Sequence, residues 1–334
     1  MTTWYGFEPT DSLFFKGATP MQAGVDHTAD SIFPPRPSTI EGALRTLVLK
    51  QQGVAMKDYY QDRASPEIIE TIGPAGMPAP FTVIGPLFQV HGRILIPAPY
   101  TWYRDKDKDG GKTTHIRIIR SQPLEDIGTG GLEIMTSAGA HTYWVSSGSS
   151  EIESLGGLWI TPDLLHGRHD EPVALYRSQT APPYPAPLAA REKDLYVEEP
   201  HVGLALNENR RTAKRHHLYS FTHYRLLTGV KLVFGVDREL PLQKRGIMQL
   251  GGEKRFGFYE RIEGVDLVPG TSGLFLALGV VKAEAAATQA LVATGKPFYV
   301  GGWDMRKGFH KAMSGYYPPG TVFNAEIKSN LIEI

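Results

Sequence analysis

The sequence predicts an α+β fold built from two tandem ferredoxin-like (RRM-like) modules, split βαβ units carrying long loop and hairpin insertions. Three observations lead there. Each half of the 334-residue chain combines strand-like runs, at least one helical segment and hairpins. A proline-rich stretch at 179–200, QTAPPYPAPLAAREKDLYVEEP, interrupts the pattern between the halves. The residues with distinctive chemistry are concentrated in loops that leave strand ends. The length suits two domains, and the expected division is 1–185 and 186–334.

Taken in order, Trp4, Tyr5 and Phe7 form a strand that Pro9 ends. An irregular loop from Asp11 leads to a helix opened by Pro37 and Ser38. Ser38 is expected as its N-cap, with Glu41 three residues on as in a capping box, and Ile40, Leu44, Leu47 and Val48 make one apolar face. Gly53 is the expected stop. Residues 56–80 are mixed and end in the loop IGPAGMPAP. Leu87–Val90 and Arg93–Ile96 read as a hairpin around His91-Gly92. No element is assigned confidently over 121–170, and the prolines of 179–200 favour an extended connector. LYSFTHYRLL and VKLVFGVD read as the two strands of a hairpin, and LPLQKRGIMQ as a short helix or turn. GLFLALGVV is a strand or strand pair, KAEAAATQALVAT an alanine-rich helix stopped by Gly295, and PFYVGG a strand running into a glycine turn.

Composition narrows the function. Apolar residues are 41% and charged residues 21%, ordinary for a globular protein, while 36 Gly and 25 Pro point to long loops. Lys plus Arg equals Asp plus Glu at 35 each. No global positive field exists, so any nucleic-acid contact must be local, and a near-zero net charge favours association with partners. The absence of cysteine excludes disulfides, thiolate zinc sites and cysteine nucleophiles. Neither a secretory leader nor an uninterrupted apolar run of membrane-spanning length is present, so a cytoplasmic protein with no membrane contact is expected. Metal ions and cofactors are not expected either. The run DKDKDG opens like a calcium loop but has Ile116 where the bidentate Glu belongs. His166 and His169 have no third ligand in view.

Three basic loops stand out. In LGGEKRFGFYE, Gly251 and Gly252 let another backbone come close, and Lys254 and Arg255 supply charge-assisted donors suited to phosphate. Arg210, Arg211, Lys214 and Arg215 form the most basic window. Near the end, Trp303 and Phe309 offer aromatic platforms beside Arg306, Lys307 and Lys311. Glycines and cations interleaved with aromatics are what sequence-tolerant binding of single-stranded RNA requires.

The segments PTDSLFFKGATPMQAG with SIFPPRPSTIEGALRT, LGGEKRFGF, and GGWDMRKGFHKAMSGYYPPGTVF, in that order, resemble the RAMP superfamily of CRISPR effector subunits. The resemblance is closest to the third subunit of the type III-B (Cmr) complex, and residues 56–200 match only loosely. It implies a pair of ferredoxin-like domains, binding of the repeat-derived 5′ tag of the CRISPR RNA, and docking onto the large polymerase-cyclase-like subunit and a neighbouring RAMP backbone subunit, in antiviral defence. On the matching positions, Gly251, Gly252, Lys254 and Arg255 would face the RNA, together with Lys16, Pro35, Arg36, Ser38 and Thr39, and Arg45 lies in the same matching segment. Many relatives carry Arg-Asp-x-Arg-Pro in the first loop, where this chain has Lys16-Gly17-Ala18-Thr19-Pro20 and fewer charges. Some RAMP relatives are metal-independent endoribonucleases that use a histidine, which puts His27 and His310 in view. The expected role is a non-catalytic RNA-binding subunit. Alternatives are an endoribonuclease that processes precursor RNA and a protein-only module whose basic loops meet acidic partners.

Overall fold

A computed structural model describes the chain except for residues 1, 18–27, 30, 107–112, 124–142, 146–150, 167–170, 179–187, 207–212, 305–307 and 328–329. The principal elements are β1 (Thr3–Pro9), α1 (Pro37–Gln51), α2 (Met56–Tyr60), α3 (Pro66–Ile72), β2 (Val83–Val90), β3 (Arg93–Pro97), β4 (Leu158–Ile160), β5 (Val173–Tyr176), β6 (Leu188–Arg191), β7 (Tyr196–Leu206) and β8 (Ala213–Leu226). There follow β9 (Val230–Val236), β10 (Arg245–Gln249), β11 (Phe256–Ile262), β12 (Phe275–Ala277), α4 (Ala285–Gln289), β13 (Leu291–Ala293), β14 (Phe298–Asp304), β15 (Phe309–Tyr317), β16 (Val322–Phe323) and β17 (Leu331–Glu333). Among the described residues no helix is long and apolar enough to cross a membrane. The chain is an α+β protein dominated by strands.

Two compact units result. The first comprises Met1–Pro86, Tyr196–Glu263 and Tyr299–Ser314, the second Leu87–Leu195, Gly264–Phe298 and Gly315–Ile334. Each gathers three separate segments, whereas the sequence led to an expectation of consecutive halves; a division into folding domains at 185/186 is a proposal.

In the first unit the strand order is β10-β11-β1-β9, followed by β2, which starts in this unit. β1 pairs antiparallel with β9 on one side (Tyr5↔Phe234) and with β11 on the other (Phe7↔Tyr259). Numbering β1, β2, β9 and β11 as strands one to four gives the order 4-1-3-2 of a ferredoxin-like sheet, with α1 as its first crossover helix. Residues 91–229 are inserted where the tight hairpin between strands two and three would be. The stretch where a second crossover helix would lie forms β10, an added edge strand. Within LPLQKRGIMQ, expected as a helix or turn, the second half, Arg245–Gln249, is therefore a strand.

The apolar face of α1 is buried as its periodicity predicts, through Ile40, Leu44, Leu47 and Val48. Its start differs from expectation: Arg36 occupies the N-cap, and Pro37, which has no N–H to satisfy, begins the helix. Glu41 pairs instead with Arg45, one turn on, at 2.9 Å. The far end is tied to the sheet by a closed set of bonds. Gln51 Nε2 donates to the Tyr259 hydroxyl (2.7 Å), which donates to Gln243 O (3.1 Å), while Gln243 N–H donates to Gln51 Oε1 (2.9 Å). Residues 56–72, left unassigned from sequence, supply the short helices α2 and α3.

The pairing of β8 overturns another expectation. It forms a long antiparallel ladder with β7 (Val202↔Ser220), and β9 joins β1 instead. The reason is burial: Leu232, Val233, Phe234 and Val236 are inaccessible on both faces of β9, as a central strand demands.

In the second unit β2 and β3 form the expected hairpin (Phe88↔Leu95), turning at His91 and Gly92 with φ of 47° and 85°. The order continues β3-β4-β6-β5. Leu188–Arg191, expected as connector, is an inner strand whose Leu188, Ala189 and Ala190 are buried. A separate sheet has the order β13-β16-β12-β17. With β12, β13, β16 and β17 taken as strands one to four, this is again the 4-1-3-2 order, joined by α4. The alanine-rich helix is far shorter than expected because Leu291 and Ala293 pair with Phe323 and Val322. Gly295 is required by packing: a Cβ there would lie 2.2 Å from the Tyr100 hydroxyl. The expected glycine turn after PFYV is likewise absent, since β14 runs through Gly301 and Gly302.

Arg45, an expected RNA contact, is 9% exposed. Its Nη2 donates to Met77 O at 2.7 Å and its Nη1 to the Tyr59 hydroxyl at 3.2 Å, and Tyr59 donates in turn to Gly73 O at 2.8 Å. The side chain clamps α1 to the α2–α3 segment. Replacing Arg45 with Ala removes these bonds and the ion pair with Glu41 from a buried side chain, and urea unfolding should show a loss of about 2 to 4 kcal/mol.

Candidate nucleic-acid interface

LGGEKR is the tip of the β10–β11 hairpin. The register Gln249↔Phe256 is followed by a bond from Leu250 N–H to Arg255 O (3.0 Å). Arg255 N–H then donates to Gly252 O (3.2 Å), with Glu253 and Lys254 both left-handed at φ 54° and 57°. This is a type I′ turn, whose backbone twist matches the flanking strands. Asn-Gly is the usual sequence for it; Glu-Lys hides the turn from sequence inspection.

The two glycines admit a close backbone, as expected, and that backbone belongs to the same unit. Gly252 N–H donates to Phe14 O at 2.8 Å. A Cβ on Gly251, where φ is +92°, would stand 2.6 Å from the same oxygen, and one on Gly252 would meet the Phe14 ring at 2.9 Å. The amino-terminal loop thus forms the seat of the hairpin tip. That loop is held by reciprocal bonds between Leu13 and Tyr224 (2.7 and 2.8 Å) and by the bridge Lys16↔Ser31. Two stretches separated by more than 200 residues, each expected at the RNA, share one surface.

A charge network underlies the surface. Asp11 accepts from Arg255 Nη1 (2.7 Å) and from Arg225 Nη2 (2.7 Å), and Arg225 also forks onto Glu199, with Nε to Oε1 and Nη2 to Oε2 at 3.0 Å. The Ser12 backbone N–H, with the Arg225 guanidinium next, lowers the Asp11 carboxyl to about 2. Pairing with Glu199 and then Asp11 raises the Arg225 pKa further. His223 lies beneath, fully buried, stacked on Phe14 and on His201, whose ring is 4.0 Å away. Ser12 Oγ is 3.2 Å from its Nδ1, and Glu253 Oε2 stands 3.3 Å from Nε2 without hydrogen-bond geometry. Burial, then the neighbouring His201 and Arg255, lowers the His223 pKa.

Lys16 and Lys254 are exposed, and Lys254 makes no ion pair among the described residues. Arg255 is partly covered and committed to Asp11. Ser38 is exposed, and Arg36 and Thr39 are half-buried at the start of α1. Lys311 is exposed on β15, its stem lying over Gly302, where a Cβ would be 3.5 Å from Lys311 Cδ. Arg210, Arg211, Arg306, Lys307, His27 and His169 fall outside the described residues, as does most of the DKDKDG run. Lys214, Arg215 and Trp303 lie in β8 and β14, with side chains outside the described set, as is that of His310. Sequence inspection missed Asp11, Glu199, His201, His223 and Arg225. These come from three distant segments, and no local spacing marks them.

Two ferredoxin-like sheets, the first ending in a glycine-bearing hairpin tip seated on the amino-terminal loop, fit the paired ferredoxin-like architecture that the sequence resemblance implies. The family model for "CRISPR-associated protein (Cas_Cmr3)" matches residues 5–274, a span that includes both loops. The chain belongs to this family. No curated protein matches it. Among solved structures, a chain of the type III-B Cmr-beta complex bound to cognate target RNA and AMPPnP superposes with a TM-score of 0.51 at 18% identity, covering 96% of this chain and 85% of that one. A second Cmr-beta structure bound to cognate target RNA gives 0.51 at 18%, covering 97% and 86%. A chain of the Csm3-Csm4 subcomplex of the type III-A interference complex gives 0.43 at 12%, covering 99% and 94%.

The network makes the hairpin tip acid-sensitive in two windows. Asp11, lowered in the fold, contributes stability above its unfolded value near 3.8 that is lost as pH falls towards about 2. His223, also lowered, resists a proton that the unfolded chain accepts, so stability falls as pH drops below about 6.5. Urea midpoints measured at about pH 7.5 and about pH 5.5 should fall with acidity, and His223→Phe should flatten that difference.

Proposed function

We propose that the chain is a non-catalytic RNA-binding subunit of a type III-B CRISPR ribonucleoprotein. It binds the repeat-derived 5′ tag of the CRISPR RNA and docks onto the large polymerase-cyclase-like subunit and a neighbouring RAMP subunit. The observation that carries this reading is the bond from Gly252 N–H to Phe14 O, which joins the two loops the family resemblance assigns to RNA into one exposed surface. Membership of the Cas_Cmr3 family, through a match that includes both loops, supports the same assignment.

On this surface the residues divide their work. Lys254, at the turn apex, and Lys16 are point charges suited to phosphate oxygens. Arg255 serves the RNA indirectly, holding the apex in place through Asp11. Binding of this kind positions a backbone and needs no proton transfer, so no catalytic duty falls on the buried His223.

Purifying the tagged chain from its host and sequencing the RNA that accompanies it should yield 5′ ends sharing a repeat-derived tag. Random 5′ ends, or no RNA, would count against the proposal. Lys254→Ala should weaken retention and reduce the slope of log affinity against log salt by about 0.7, the value for one phosphate contact on a single strand.

A further inference from the structure

The β10–β11 hairpin has a second exposed surface beyond its tip. Paired residues across an antiparallel ladder share a face, so Met248, Gly257 and Tyr259 lie on the side that α1 covers through Gln51. Ile247, Phe256 and Phe258 point the other way, with 51%, 48% and 58% of their surface exposed. Phe258 lies directly opposite Ile247, and Phe256 follows two residues along the same strand, next to the glycine tip. Large apolar side chains grouped on a sheet face of a small module indicate a binding surface.

The surrounding charges favour one occupant. On this face Lys254 at the tip and Arg245 at the far end of β10, across the ladder from Glu260, are exposed and make no ion pair among the described residues. The acids on this face, Glu8 and Glu260, converge on Lys231 at 3.3 and 2.9 Å. An exposed cation therefore stands at each end of the aromatic strip, and its two carboxylates share Lys231 along the side. Phe256 and Phe258 are ~7 Å apart along the strand, which leaves room for one planar base on each ring. A polyanion with flat apolar groups fits this arrangement better than a peptide.

We propose that the helix-free face of the β10–β11 hairpin is a stacking platform for two unpaired bases of the bound RNA, seated on Phe256 and Phe258 beside Ile247. The assignment rests on the RNA-binding reading above and adds where the bases go once the tip holds the backbone. Because stacking accepts any base, this face contributes affinity and register with little sequence preference.

The test uses the full chain and a single-stranded RNA of repeat sequence, with companion RNAs carrying an abasic spacer at successive positions. Phe256→Ala and Phe258→Ala should each weaken binding about tenfold, with an unchanged salt slope, whereas Lys254→Ala reduces the slope. The abasic RNA whose missing base faces the altered ring should show no further loss with that variant. Unfolding midpoints check that these exposed substitutions leave the fold intact. Unaltered binding by both Phe variants, alongside a Lys254-dependent wild type, overturns the platform and leaves the RNA-binding reading standing. Absence of any RNA binding by the unaltered chain overturns both. Restoration by Phe258→Leu, which keeps apolar area without an aromatic face, overturns stacking in favour of a protein-docking patch.

Discussion

The contact of the β10–β11 tip with the amino-terminal loop, Gly252 N–H on Phe14 O, constrains the surrounding structure of its unit. A side chain at Gly251 or Gly252 would occupy the space of Phe14. With the glycines in place, the tip descends far enough for Arg255 to reach Asp11, Asp11 to share its charge with Arg225, and Arg225 to fork onto Glu199. The bridge between Leu13 and Tyr224 then fixes the loop that carries Lys16. One main-chain hydrogen bond thereby links segments from both ends of the sequence and leaves the apex lysine facing outward.

This arrangement separates exposed cations from internally engaged ones in a way that residue type alone does not reveal. Arg255 and Arg45 were expected at the RNA with Lys254 and Lys16, and both are engaged within the chain, one with a carboxylate and the other with the α2–α3 segment and the loop after it. Arginine suits such duty because its fork satisfies several acceptors at once, whereas a lysine ammonium is better left hydrated at an apex. The buried His223 belongs to the supporting layer, stacked on Phe14 and on His201.

Local signals were reliable wherever one stretch decided its own structure. The apolar face of α1, the His91-Gly92 hairpin and the strand at Trp4–Phe7 followed from periodicity and turn chemistry. Failures came where a partner decided. RGIMQ has no strong strand signal, and becomes an edge strand because β11 offers it a ladder. The alanine-rich segment has high helix propensity, yet Leu291 and Ala293 are drawn into a sheet by Val322 and Phe323. Propensities worth a few tenths of a kcal/mol per residue yield to such pairing.

The sequence by itself determined the α+β class and the loops that hold the unusual chemistry, because these depend on residue order within short windows. Tertiary structure alone decided that strands three and four of the first sheet return after a long insertion, and that the Gly251-Gly252 tip sits on Phe14. It also decided which cations remain exposed. Those outcomes depend on contacts between residues hundreds of positions apart, where burial and charge pairing are settled only once the chain has folded.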